Sequence, residues 1–225
     1  DVLGSRGLGD VYKRQATYWS AFGQAVIILL IQTGGMGVIT VALALYSLSG
    51  RPVSLLQRST MAESISGQRL DGIVGMAGFI IRMTLIFELL GALLLAPVFI
   101  GGFGFGRGLW YSLIHSISAF CNAGFDLMGI NGEYSSLTAF REQPLVNLVI
   151  MALIIIGGIG FFVWDDVRSN KLNFRRYQLQ SKVAITCSAL LILLPALYFF
   201  CFEYRGEGLK SRILSALFQS VTART

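Results

Sequence analysis

WYSLIHSISAFCNAGFD, Trp110 to Asp126, decides the fold of this 225-residue chain. Its apolar part ends at Phe120 and gives way to the small, uncharged Asn122-Ala123-Gly124. A helix needs roughly 20 mostly apolar residues to cross a bilayer. Trp110 to Phe120 is far too short for that and reads as a re-entrant half-helix.

The surrounding chain gives this piece a membrane to re-enter. Charged residues make up 13% of the sequence and hydrophobic ones 54%, and the mean hydropathy is +0.67. A soluble domain carries about 25% charged residues. The deficit excludes disorder, a solvated coiled coil and most water-soluble enzymes. Charged residues are absent between Arg14 and Arg51, between Glu142 and Asp165, and between Lys182 and Glu203. Each gap is long enough for a membrane span. The fold class is therefore an all-α polytopic membrane protein. The net charge of +6 does not point to nucleic acid, because the basic residues lie in short loops between apolar tracts. Cys121, Cys187 and Cys201 have neither metal-ligand nor disulfide spacing, and one histidine, His115, cannot form a histidine metal cluster.

Residues 1–15 are polar and Gly-rich and match nothing that follows; they are read as a non-native or disordered leader. The first span falls within 17–50 and stops at Ser49-Gly50-Arg51-Pro52. A second runs from near Ile73 to near Phe99, with Pro97 close to its end. GGFGFGRG, Gly101 to Gly108, has neither GxGxxG spacing nor a GK[ST] ending, so a flexible turn is expected there rather than a nucleotide loop. The half-helix is placed at 109–121. Pro144 opens a third full span, LVNLVIMALIIIGGIGFFVW. The last full span covers Val183 to Phe202, and a second short apolar piece, ILSALFQSVTART, follows it.

The chain partly repeats itself. Gly34-Gly35-Met36-Gly37 matches Gly157-Gly158-Ile159-Gly160, and Ser112 to Asn122 matches Ser215 to Thr225. One unit recurs: full span, half-span, polar loop, full span. On this reading 17–50 is the last helix of a first repeat. Residues 72–166 form a complete second repeat with its loop at 122–125, and 181–225 form the front of a third.

The physics of the unit points to a pore. A half-helix ending inside the membrane leaves carbonyls without intrahelical partners, and such backbone survives only within protein or beside a watery cavity. Its C-terminal end carries about half a negative charge and favours a cation near Phe120 to Gly124. Gly124 allows backbone conformations closed to other residues. Carbonyl rings of this kind replace the hydration shell of a potassium ion.

FCNAGFD, Phe120 to Asp126, resembles the second filter region of the Trk/Ktr/HKT potassium transporter superfamily. IQTGGMGV (Ile31 to Val38) and IIIGGIGFFVWDD (Ile154 to Asp166) resemble its inner-helix motifs. SVTART, Ser220 to Thr225, resembles the entry to its third filter, in a form closer to the Ktr branch. The resemblance implies four membrane–pore–membrane repeats around one pore, of which this chain carries a part. It implies potassium as substrate, with sodium co-transported or regulatory, and no bound cofactor. It also implies a homodimer in the bacterial cytoplasmic membrane, partnered by cytosolic nucleotide-binding regulatory subunits.

Individual residues follow. Asn122, Ala123 and Gly124, with Thr225 at the matching position of the next unit, are the expected ion ligands through their carbonyls. Phe125 is expected to pack behind the filter, Cys121 adjoins it, and Arg224 is expected to brace it. Gly34, Gly35, Gly37, Gly157, Gly158 and Gly160 are expected to serve close helix packing or hinging. Arg82 and Glu88 interrupt the second span about 240° apart around the helix, so each needs its own partner. Glu88 is read as a buried structural acid rather than an ion ligand. The loops holding Arg51, Arg58, Arg69, Arg168, Lys171, Arg175, Arg176 and Lys182 outweigh those holding Arg107, Arg141, Arg205, Lys210 and Arg212. The positive-inside rule places the former in the cytoplasm, so the half-helices enter from outside. No nucleophile–base pair or metal-ligand cluster marks an enzyme. A broken-helix secondary transporter is the alternative.

Overall fold

Apolar tracts of two lengths build this molecule, and the short ones end up inside. The computed structural model describes residues 19–37, 73–128, 136–171, 173–206 and 208–224. Among them every regular element is helical. Helix α1 is Ala21–Gly35, α2 Ile73–Phe103, α3 Phe105–Phe120, α4 Pro144–Gly158, α5 Phe161–Asn170, α6 Leu179–Tyr198 and α7 Leu209–Ala223. A 3₁₀ turn, Ser136–Phe140, precedes α4, and a π turn, Phe199–Glu203, extends α6.

Two stretches are long and apolar enough to cross a membrane among the described residues: Ala77–Phe103 and Leu179–Glu203. Each contains a proline, Pro97 and Pro195, and each runs through it. Membrane helices tolerate this because neighbours re-satisfy the freed backbone groups. Pro97 therefore does not end α2, as its position in the sequence suggests. The outer face of α2 carries exposed Leu85, Ile86, Leu89, Leu90, Leu93 and Leu94, spaced along one helical stripe. On α6 Leu190, Leu191, Leu193, Leu194 and Leu197 are also exposed. A water-facing surface of this kind would be strongly unfavourable; in a bilayer it meets hydrocarbon.

The third expected span is broken. α4 and α5 qualify as a span only together, and they meet at a bend of 92°. The break falls in the second GGxG motif: α4 ends at Gly158, Ile159 caps it, and Gly160 has φ +95. That left-handed backbone suits glycine and disfavours a residue with a β-carbon. α1 ends in the same way, with Met36 as cap and Gly37 at φ +81. Trp164 holds the bend in place. Its Nε1 donates to the Ile156 carbonyl across the break at 3.1 Å, and its ring lies 5.4 Å from Phe87 and 5.6 Å from Phe120.

The tract Gly101 to Gly108 is tighter than a flexible turn. Gly101 and Gly102 belong to α2, and one residue, Gly104 at φ +81, separates α2 from α3. Gly108 then presses on α2, where a β-carbon would lie 2.5 Å from the Ile100 backbone. Pairings of Ile100 with Gly108, Gly91 with Ser116 and Phe87 with Phe120 run in opposite directions along the two helices. α2 and α3 thus form an antiparallel hairpin. α3 is also longer than expected at its start, opening at Phe105 rather than 109.

α3 is short and carries several polar side chains, yet it sits in the middle of the core and touches α1, α2 and α4. Ser112, His115, Ser116 and Ser118 are all buried on it. Two of them bond to main-chain carbonyls: Ser112 Oγ donates within α3 to Gly108 O at 2.7 Å, and Ser116 Oγ donates across to Glu88 O of α2 at 2.6 Å. α7 packs in an analogous way against α4 and α6, with Ser220 Oγ donating to Ile192 O at 2.5 Å.

Candidate functional site

The end of α3 is a specific backbone structure. Cys121 caps the helix, and Asn122 follows with φ +53. Asn122 N–H donates to Ala119 O at 3.3 Å, and Ala123 N–H donates to Ser118 O at 2.9 Å. This is a Schellman cap, with asparagine in the left-handed position that usually holds glycine. Two of the carbonyls at the negative end of the helix are thereby used. Gly124 is the second left-handed residue, at φ +67. Asn122 and Gly124 are exposed, Cys121 and Ala123 half-buried and Phe125 buried. Residues 122 and 124 thus lie at the surface while Phe125 is enclosed. Asp126 Oδ1 accepts the Met128 N–H at 2.8 Å and closes the turn.

A cavity of about 330 Å³ opens along this loop. Its walls include His115 and Ser118 of α3, Asn122 to Asp126, Ile150 and Ile154 of α4, and Phe218 and Thr222 of α7. His115 Nδ1 donates to Tyr111 O at 2.7 Å, which leaves Nε2 as the acceptor. Among the described residues no group of three or more His, Cys, Asp or Glu side chains gathers to hold a metal.

Glycines seat the half-helix. A β-carbon on Gly157 would overlap the Phe120 carbonyl, lying 2.8 Å from its carbon. One on Gly35 would lie 2.7 Å from Cys121 Cβ. Gly34 and Gly160 have nothing within 4 Å. The two GGxG motifs thus combine contact and break: Gly35 and Gly157 give close approach, and Gly37 and Gly160 give the left-handed turn.

Arg224 stands at the position in the second half-helix that matches Cys121. Its Nη2 donates to Gly158 O at 3.2 Å and to Ser188 Oγ at 2.7 Å. It ties α7 to the end of α4 and to the middle of α6. Cys121 contacts Gly35, and Arg224 contacts Gly158, which are matching positions of the two motifs. Thr225 lies outside the described residues.

Glu88 is buried at 2% exposure, as read from the sequence, but three features escape the sequence reading. The first is its partners: it accepts from Gln32 Nε2 at 2.7 Å and from Cys121 Sγ at 3.7 Å. Trp164 latches the bend. Asp166 Oδ2 accepts the Gln178 N–H at 3.0 Å and anchors the start of α6. Only the bend carried a signal in the sequence, the glycine at the end of GGxG before Phe161.

Long apolar helices with leucine-rich exposed faces, packed around a short buried helix, define an all-α membrane protein. Residues 7–225 match the TrkH cation transport protein family, and the chain belongs to it. It is 34% identical over 215 residues to the potassium/sodium uptake protein NtpJ of Enterococcus hirae, covering 93% of this chain and 46% of that protein. It is 35% identical over 215 residues to the Ktr system potassium uptake protein B of Bacillus subtilis, covering 93% and 47%. The corresponding protein of Vibrio alginolyticus is 30% identical over 226 residues, covering 97% and 48%. The chain spans about half the length of these relatives.

Proposed function

We propose that the complete protein takes up potassium through a filter whose second quarter is Asn122-Ala123-Gly124, with Phe125 packed behind it. The observation that carries this reading is the pair of left-handed residues, Asn122 and Gly124, exposed at the C-terminal end of a buried half-helix. Such a loop offers carbonyl oxygens at a site of negative potential, which is what a dehydrated monovalent cation needs. The relatives' names, potassium uptake and potassium/sodium uptake, support potassium as substrate and sodium as a coupled or regulatory ion. The protein acts as a transporter and not as an enzyme, with no resident cofactor.

The same reading puts the protein in the bacterial cytoplasmic membrane with its half-helices entering from outside. It pairs as a homodimer and meets cytosolic nucleotide-binding regulatory subunits. Thr225 is the matching filter position of the next unit, and residues 181–225 are the front of a third repeat. The matched contacts of Cys121 with Gly35 and Arg224 with Gly158 support the repeat.

A secondary transporter with its site at a helix break is the second reading, favoured by the 92° bend between α4 and α5. Rubidium uptake by the complete protein in a potassium-starved host separates the two. A filter gives saturable rubidium uptake that competes with potassium and is altered by changes at Gly124. Uptake that ignores Gly124 but follows changes at Gly160 assigns the site to the bend instead.

A further inference from the structure

Three helices meet at one residue of α2, Glu88. The Glu88 carboxylate accepts from Gln32 on α1 at 2.7 Å and from the Cys121 thiol at the end of α3 at 3.7 Å. Its main-chain carbonyl accepts from Ser116 Oγ, also on α3, at 2.6 Å. One turn further along α2, a β-carbon on Gly91 would lie 2.7 Å from Leu153 of α4. Both side-chain donors are neutral, so they do not offset the cost of placing a carboxylate in a membrane interior. An alanine or leucine would pack there without that cost. Geometry is what the acid supplies in return: it accepts from two directions at once, and the two donors sit on different helices.

One of those donors is the residue on which the loop is hung. Cys121 caps α3, and the left-handed Asn122 follows it directly. Gly35 closes the other side of Cys121, with no room for a β-carbon. A shift of Cys121 would therefore turn the peptide planes of Asn122 to Gly124.

We propose that Glu88 is a positioning residue for the filter, fixing the start of the loop by clamping Cys121 against Gln32 of the preceding unit. This rests on the reading of 122–124 as a filter. Glu88 acts through Cys121 and does not touch the ion.

The test uses the complete transporter with Cys187→Ser and Cys201→Ser, so that Cys121 is the one thiol contributed by this segment. Glu88→Leu removes both side-chain bonds, and Glu88→Gln keeps a carbonyl acceptor. The expected result for Glu88→Leu is a rubidium KM raised roughly tenfold, the scale of one lost hydrogen bond to a charged group, with increased sodium entry. Glu88→Gln should recover part of this. Cys121→Ala, made with Glu88 intact, should reproduce the defect, and the Glu88→Leu/Cys121→Ala double variant should be no worse than either single one. A second readout does not depend on transport: maleimide labelling of Cys121 in membranes should quicken several-fold in Glu88→Leu. If Glu88→Leu does not reach the membrane, Glu88→Gln and Cys121→Ala still decide the matter. Unchanged labelling with unchanged KM and selectivity at normal membrane levels overturns the proposal. Equal losses in the Gln and Leu variants, with labelling unchanged, place Glu88 in the ion path and also overturn it. Faster labelling with intact ion selectivity overturns the filter reading, and this proposal with it.

Discussion

Gly124 shows how much one backbone angle can carry. A β-carbon there would meet nothing within 4 Å, but φ is +67. Substitution is therefore resisted by conformation and not by crowding, at a cost of about 1–2 kcal/mol for a residue with a side chain. Gly124→Ser adds a small hydroxyl without charge. In the complete protein it should leave membrane insertion near normal while weakening apparent potassium affinity or raising sodium entry. Uptake across a potassium series, with and without sodium, checks this. Unchanged affinity and selectivity at normal expression would make Gly124 a turn residue only. Asn122 occupies the same left-handed region at φ +53, and asparagine tolerates it better than most residues.

At the scale of elements, the seating of α3 is governed by distance. Gly157 lets the Phe120 carbonyl approach α4 so closely that any β-carbon would overlap it. The obstacle is backbone on both sides, so neither can swing away. Gly157→Ala should destabilise the protein by about 1–3 kcal/mol, as overpacking does, and should disturb the loop two residues beyond Phe120. Gly34→Ala, in the other motif, meets nothing within 4 Å and should be close to neutral. Thermal unfolding of the two variants in detergent tests the contrast; equal effects would mean that the close approach at Gly157 is not structurally important. The bend after Gly158 belongs to the same scale. The aromatic group of Phe87, Phe120 and Trp164 links it to the base of the half-helix, so bend and loop share a support.

For the whole molecule, lipid and protein divide the surfaces. The leucine-rich faces of α2 and α6 are exposed, while the polar half-helix α3 is enclosed by α1, α2 and α4. That inverts the arrangement of a soluble protein and follows from the solvent: hydrocarbon does not penalise leucine but penalises an unsatisfied backbone carbonyl by several kcal/mol. The 225-residue chain is about half the length of its relatives and contains one described loop of the kind proposed for the filter. By itself it should give no potassium-selective current in planar bilayers. A robust current from this chain would contradict a pore assembled from four such loops.

What the sequence by itself determined was whatever depends on local composition. The charge-free tract between Lys182 and Glu203 lies in one helix long and apolar enough to span, Leu179–Glu203, because a span needs only enough consecutive apolar residues. Asn122-Ala123-Gly124 after the apolar Trp110 to Phe120 marks a helix end and its loop, and the repeated GGxG motifs mark special backbone. The tertiary structure alone decided where these pieces touch. Pro97 and Pro195 do not stop their helices; at Pro195 the freed Leu191 carbonyl accepts from Ser220 Oγ of the neighbouring α7 at 3.5 Å. The GGxG glycines could be read as packing or as hinge, and only the observed φ of Gly160 and the nearness of Gly157 to Phe120 show that both occur in one motif. Glu88 could not be paired from sequence, since its partners Gln32 and Cys121 lie far away along the chain on two other helices. Contacts of that kind arise from the way helices cross, and no local periodicity encodes them.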